Sequence, residues 1–301
     1  MDRKNAERIG FVGIGNMGWP MAARLVAGGH AVQVHDIGAE RAARFVAECG
    51  GSAASGLGEL AANSDIVITI LPTSDQVESV LFGPDDALAR NMKPGTIVID
   101  MTSGQPARTI GFGERLASKN VAMIDAPVSG GVARAVTGEL AIMVGGAEAT
   151  VERCRPLLER MGTTILRTGP LGSGQAMKAL NNLVSAGGFL IAAEALQIGR
   201  QFGLDPVTMV DILNASSGSN NSTQKKFKQF VLSEKYDSGF ALALMAKDLG
   251  IALELARQNG VDTPFAAQCR EIWAEASAAL GAKADHTELA RVAGRRTGTE
   301  R

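Results

Sequence analysis

Arg8-Ile-Gly-Phe-Val-Gly13-Ile14-Gly15-Asn16-Met17-Gly18 is a short apolar run that breaks into three glycines at fixed spacing. The next apolar run, Ala31-Val-Gln-Val-His-Asp36, closes on an acid. Together they predict a strand, a tight turn, a helix over residues 16–27 and a second strand that ends in a carboxylate. Each glycine has its own reason. Gly13 permits the turn, Gly15 lets backbone approach a pyrophosphate, and Gly18 lets the helix pack closely on the strand. Amide N–H groups at the start of that helix, at Asn16 and Met17, then face the phosphates, helped by the helix dipole, and Ile14 belongs with the glycines to the cofactor-binding turn. Asp36 follows at the separation where a carboxylate accepts from the hydroxyls of an adenosine ribose. A 2′-phosphate there would be repelled, so NAD is expected rather than NADP. A glycine-rich turn of some other α/β protein is the alternative, but strand, helix and acid all stand in the required order.

Composition bounds the rest. At 301 residues the chain can bury a large core and make two domains. Its 30 basic and 31 acidic residues give no electrostatic reason to expect nucleic acid or an acidic membrane surface. Cys49, Cys154 and Cys269 are odd in number and widely spaced, as in a cytoplasmic protein with reduced thiols, and they offer neither a disulfide framework nor a metal spacing. The polar start at residues 1–5 fits no signal peptide, and no stretch is expected to span a membrane.

Up to about residue 168, β-type runs at 9–13, 31–36, 65–71, 96–101 and 121–126 alternate with helical patterns at 39–49, 75–81 and 106–117. The runs are too continuously apolar for half-exposed strands, which suits a parallel sheet covered on both faces. Runs at 140–144 and 164–166, around a helical pattern at 149–161, extend it. The expected fold is α/β: a Rossmann-type doubly wound sheet over 1–168, then an all-helical domain over 169–301. A helix over about 173–202 links the two and is apolar all round, which predicts burial between domains or subunits and hence a homodimer or homotetramer. Helices are expected at 206–214, 223–232, 240–258 and 264–279, with a frayed tail at 294–301.

Proton carriers are few. His30, His35 and His286 read as surface or packing residues, and Tyr236 has no lysine at Tyr-x-x-x-Lys spacing. Lys178 differs, because it falls in the first turns of the long apolar helix with Asn182 four residues on, on the same face. A buried lysine either finds a carboxylate or has its pKa lowered toward the range useful for acid/base work. It can equally snorkel out at a domain boundary.

Several separated motifs resemble the β-hydroxyacid dehydrogenase family, which includes 3-hydroxyisobutyrate dehydrogenase and tartronate semialdehyde reductase. They are the opening Gly-Phe-Val-Gly13-Ile14-Gly15-Asn16-Met17-Gly18; Leu71-Pro72 with Gln76; Asp100-Met-Thr-Ser103-Gly-Gln-Pro106; Asp125-Ala-Pro-Val-Ser129-Gly130-Gly131; Gly174-Gln-Ala-Met-Lys178 with Asn182; and Lys247-Asp248-Leu. The resemblance implies that Leu71, Pro72, Gln76, Ser103 and Lys247 border the cofactor and that Ser129, Gly130 and Gly131 hold a substrate carboxylate. It implies that Lys178 moves the hydroxyl proton and that Asn182 orients the lysine or the substrate. It implies a small hydroxyacid as substrate; no metal is expected, since the residues offer no metal spacing. Lys247 can also be a plain ion-pair partner.

One segment departs from the family pattern. Ser216-Ser217-Gly218-Ser219-Asn220-Asn221-Ser222 has small amides where many 3-hydroxyisobutyrate enzymes carry arginine. Loss of a bidentate carboxylate partner favours a more hydroxylated or amino-bearing substrate; the segment can also be a helix N-cap. An imine reductase-like enzyme and a non-catalytic NAD(P)-binding scaffold are the alternative functions. The presence of Lys178 argues against both.

Overall fold

The computed structural model describes residues 7–84 and 86–293, so the starting residues 1–5 and the expected tail at 294–301 lie outside the described residues. The chain runs β1 (Arg8–Val12), α1 (Gly18–Ala27), β2 (Ala31–His35), α2 (Ala39–Cys49), β3 (Ser52–Ala53), α3 (Leu57–Asn63) and β4 (Ile66–Thr69). It continues through α4 (Ser74–Phe82), α5 (Leu88–Asn91), β5 (Ile97–Asp100), α6 (Pro106–Ala117), β6 (Ala122–Asp125), β7 (Val128–Ser129) and α7 (Gly131–Thr137). Then come β8 (Leu140–Gly145), α8 (Glu148–Leu158), β9 (Gly162–Gly169) and α9 (Ser173–Phe202). After α9 the described chain is helical: α10 (Pro206–Ala215), α11 (Asn221–Lys225), a π-helical turn at Phe227–Val231, α12 (Leu242–Gln258), α13 (Pro264–Leu280), a 3₁₀ turn at His286–Glu288 and α14 (Leu289–Val292).

Two compact units result, Met1–Lys178 and Ala179–Arg301. In the first, the strands order β3-β2-β1-β4-β5-β6-β8-β7, with β9 on β8. β1 pairs in parallel with both β2 and β4, so the strand order reverses around it, the position where open α/β sheets bind ligands beyond the carboxyl ends of their strands. Every residue of β4 (Ile-Val-Ile-Thr) and β5 (Ile-Val-Ile-Asp) is buried. That is why these runs show no alternation: helices cover both faces, and separate apolar cores lie on the two sides. The extension is not parallel throughout, because β8 runs antiparallel to β6 and β7. β3, α3, α5, β7 and α7 are too short to leave a periodic signal.

The second unit packs around Phe189, Phe227, Leu242 and Trp273. The expected helix at 223–232 is broken into α11 and the π turn. An isolated bridge joins Ala241 and Asp285. Along α9, Ala186, Phe189, Leu190, Ala193 and Leu196 face this core. Other apolar residues of α9 are open within the chain, where the sequence predicts burial between domains or subunits: Val184, Ile191 and Ile198 are 76%, 54% and 72% exposed. With a mean hydropathy of 1.3 over its most apolar 18 residues, α9 also has the length and composition of a membrane span, which corrects the expectation that no stretch does. Half of that window is buried inside the protein, as befits a core helix. All three cysteines are free thiols; Cys154 and Cys269 are buried, and burial pushes Cys154 up to about 12.

Candidate functional site

The glycine turn lies between β1 and α1. Gly13 has φ +93° and donates its N–H to the His35 carbonyl at 2.9 Å. A Cβ on Gly18 would collide with the Gly13 carbonyl oxygen, so helix and strand meet there backbone to backbone. Gly15 is different: a Cβ built on it meets nothing within 4 Å. Packing therefore gives no reason for a glycine at that position, whereas close approach of a ligand does. α1 begins at Gly18, two residues later than expected, with no side-chain cap and no acid in its first turn. Trp19 N–H donates to the Gly15 carbonyl at 2.9 Å and Pro20 has no N–H, so an anion would be met from the turn ahead of the helix rather than by the residues that follow Gly18. These features fit a pyrophosphate cradle.

Asp36 closes the turn from β2. Its Oδ2 accepts from the Ile14 N–H at 3.0 Å and its Oδ1 from the Gly38 N–H at 2.9 Å. Arg41, which carries no motif of its own in the sequence, pairs with Oδ1 at 2.9 Å. Ile37 beside it is fully exposed, an apolar side chain at the sheet's edge with no packing role.

Along the carboxyl ends of β1, β4, β5 and β6 the first unit gathers most of the remaining candidates. A Cβ on Gly13 would lie 2.9 Å from the Leu71 side chain, and the Leu71 N–H donates to Thr102 Oγ1 at 3.0 Å. Pro72 and Gln76 are exposed, and the Gln76 carbonyl accepts from Thr73, the N-cap of α4. Ser103 is half-buried in the loop after β5. Ser129 ends β7, paired with Ala141, and Gly130 and Gly131 then turn the chain into α7 with φ of +135° and +69°.

Two buried acids were not singled out by the sequence motifs as site residues. Asp100 and Asp125 stand side by side in the β5–β6 register. Burial pushes the Asp100 carboxyl up to about 6, against hydrogen bonds from Thr102 and Thr69 and helped by the neighbouring Asp125 charge. Burial also raises Asp125, whose oxygens accept from Gly172 and Gln175 at the start of α9. A signal for them exists in the sequence: each acid ends an otherwise apolar strand, as Asp36 follows β2.

Lys178 is buried at 8% exposed, three residues beyond Gln175. In the second unit, buried Asn182 donates to Asp248 Oδ2 at 2.5 Å, and Asp248 Oδ1 faces Lys247 Nζ at 3.4 Å. Asp248, unassigned from the sequence, thus joins the two candidates of that unit, and Lys247 is the ion-pair partner that the sequence allowed. Asn220 is the N-cap of α11. Its Oδ1 accepts from the Ser222 and Thr223 N–H groups, and its Nδ2 donates to the Gly188 carbonyl. The N-cap alternative accounts for that amide, so it offers no argument about substrate. His286 is a packing residue against Phe189, Phe240 and Trp273. Among the described residues no group of three acids, histidines or cysteines is placed to hold a metal.

Residues 8–169 match the family described as the NAD binding domain of 6-phosphogluconate dehydrogenase. Residues 172–293 match the one described as NAD-binding of NADP-dependent 3-hydroxyisobutyrate dehydrogenase. The chain is 39% identical over 274 residues to a 2-(hydroxymethyl)glutarate dehydrogenase of Eubacterium barkeri, covering 91% of this chain and 90% of that protein. It is 37% identical to an NAD-dependent L-serine dehydrogenase of Pseudomonas aeruginosa, covering 86% and 88%. Among solved structures, a Mycobacterium tuberculosis 3-hydroxyisobutyrate dehydrogenase with L-serine superposes with a TM-score of 0.88 at 32% identity, covering 97% of this chain and 100% of that one.

Proposed function

The chain belongs to the β-hydroxyacid dehydrogenase family, oxidoreductases acting on CH–OH groups with a nicotinamide cofactor, and from that membership we propose that it oxidises a small β-hydroxyacid with NAD, using Lys178 as general acid/base. The carrying observation is the position of Lys178. It is buried on α9 between Gln175, tied to the loop after β5, and Asn182, tied to Asp248.

Chemistry narrows the substrate class. 3-Hydroxyisobutyrate, L-serine and 2-(hydroxymethyl)glutarate, named for the relatives above, share the unit HOCH2–CH(R)–COO⁻ and differ only in R. The substrate proposed here has that unit, and its product is the semialdehyde; a secondary alcohol at the same carbon gives the β-keto acid. The Ser129 hydroxyl and the amides of Gly130 and Gly131 hold the carboxylate. Bound NAD supplies the hydride acceptor. Lys178 Nζ takes the hydroxyl proton as the C–H bond to that carbon breaks, and returns it in the reverse direction. Asn182, held by Asp248, keeps the lysine or the substrate oriented. Lys247, Leu71, Pro72, Gln76 and Ser103 border the cofactor.

Asp36 supports NAD over NADP, while Arg41 moderates the preference by neutralising part of its charge. The open face of α9 supports assembly of the chain as a homodimer or homotetramer.

The test is an NAD⁺-reduction panel over 3-hydroxyisobutyrate, glycerate, L-serine, 3-hydroxypropionate, threonate and 2-(hydroxymethyl)glutarate, run with wild type and Lys178→Ala. Turnover of at least one acid is expected, lost by about 100-fold or more in the variant while NADH still binds. Full turnover by Lys178→Ala would remove the catalytic assignment. A blank panel with tight NADH binding would favour a scaffold.

A further inference from the structure

α9 starts in a way that its own sequence does not explain. Its first residues, Ser173-Gly174-Gln175, include no acidic residue, and the helix opens directly after Gly172, which has φ +89°. The missing N-terminal partner comes from the sheet. Asp125, fully buried at the end of β6, accepts from the Gly172 N–H through Oδ1 and from the Gln175 N–H through Oδ2, each at 2.7 Å. Both oxygens accept, so the carboxylate form is the one the site is built for; an amide would turn an NH2 toward an N–H. The carboxylate also sits where the helix dipole is positive.

A second tie runs through the Gln175 side chain, 1% exposed. Its Nε2 donates to the Thr102 carbonyl at 2.6 Å, and its Oε1 accepts from the Gly104 N–H at 2.8 Å. A Cβ on Gly174 would lie 2.8 Å from Asp125 Oδ2, so the contact is closed on the helix side as well. The first turn is thus fixed to the ends of two strands: to β6 through Asp125, and to the loop after β5 through Gln175. Lys178 follows Gln175 by three residues, less than one turn along the same helix.

We infer that Asp125 and Gln175 are positioning residues, which lock the height and rotation of the first turn of α9 and so set where Lys178 stands. The inference rests on the proposed role of Lys178. Neither side chain is assigned contact with substrate or cofactor. Loss of either tie leaves the lysine present and its helix intact but lets the turn shift, and a displacement of about 1 Å at a reacting group is enough to cost on the order of 100-fold in rate.

The test compares Asp125→Asn, Gln175→Met and Lys178→Ala, using the best acid of the panel. Asp125→Asn and Gln175→Met are each expected to lower kcat about tenfold or more while KM for NAD⁺ and for the acid stays within about twofold. Amide exchange should quicken in the peptide spanning residues 172–178 and stay unchanged in the one spanning residues 8–15. Unaltered kcat in a folded variant, with or without faster exchange, would overturn the positioning role. If Asp125→Asn fails to bind NADH because it does not fold, the volume-matched Gln175→Met decides. Should Lys178→Ala keep its turnover, the catalytic reading fails instead, and the exchange data still report whether the helix start is held by these two ties.

Discussion

Arg41 Nη1 stands 2.9 Å from Asp36 Oδ1, a half-exposed cation on a carboxylate that is itself almost buried. The pair sits at the end of β2, where an adenosine ribose would lie, and it combines a group that repels a 2′-phosphate with one that attracts it. Asp36→Ala is expected to lower kcat/KM for NAD⁺ by about 10- to 100-fold, the cost of hydrogen bonds to a charged group, and so to narrow the NAD⁺/NADP⁺ ratio. Arg41→Ala should act oppositely, widening the ratio by a few-fold at most, as befits an exposed ion pair. Steady-state kinetics with both cofactors check this; equal changes for the two in either variant would show that the pair takes no part in the choice.

Lys247 and Asp248 are neighbours in sequence with different burdens. Asp248 is buried and receives the Asn182 amide, so Asp248→Ala removes the acceptor of a buried hydrogen bond and is expected to cost about 1–3 kcal/mol, read as a lower midpoint in urea. Lys247 is only partly buried, and its 3.4 Å pair with Asp248 is loose, so Lys247→Ala should change stability by about 1 kcal/mol or less. Its effect belongs in KM for NAD⁺ if it borders the cofactor. An unmoved KM would leave Lys247 as an ion-pair partner alone.

Acid acts with opposite sign on two buried groups, one in each unit. Burial, with Lys226 adding repulsion, holds the His286 imidazole down at about 4, while burial lifts the Asp100 carboxyl to about 6. Unfolded histidine and aspartate titrate near about 6.5 and about 3.9. For His286 the unfolded chain protonates first, so its stabilisation is complete above about 6.5 and is lost as pH falls toward 4. For Asp100 the folded chain protonates first, so its stabilisation is complete below about 3.9 and is lost as pH rises toward 6. Amide exchange, corrected for intrinsic rates, should therefore show α13 losing and β5 gaining protection as pH is lowered through this window. Movement of both in one direction would contradict the assignment.

Val184, Ile191 and Ile198 recur every seven residues on the open side of α9, the spacing of a helix seam that packs on another helix. Ile191→Glu places a charge in the middle of it. Light scattering after size exclusion should show a dimer or tetramer for the wild type and a smaller species for the variant, with unchanged far-ultraviolet circular dichroism. An unchanged mass would place the subunit contact elsewhere.

The extent to which the sequence was legible follows from how far each signal reaches. The turn at Gly13 to Gly18, Asp36 and the buried strands announce themselves within a few residues, because glycine spacing and unbroken β-branched runs are local consequences of the sheet. Asp125 did not, although it too closes an apolar strand. Its partners, Gly172 and Gln175, lie 47 and 50 residues away, and nothing in the run Ala-Met-Ile-Asp125 states that a helix will begin above it. Arg41 escaped for the opposite reason: it stands only five residues beyond Asp36, and among the charged residues of α2 nothing in the sequence marks it as the one that turns toward that carboxylate. Asn220 shows the hazard of reading composition as chemistry. A cluster of amides suggested a polar ligand, and that side chain is spent on capping α11 and holding Gly188.

The empty space over Gly15 bears on how variants of this protein would be selected. A screen that scores only folding would reject a side chain at position 18, which the Gly13 carbonyl excludes, and would pass alanine at 15 unnoticed. With growth or turnover as the criterion, alanine at 15 would be rejected too. Sequence tolerance measured by stability is thus blind at the point where the polypeptide makes room for something other than itself.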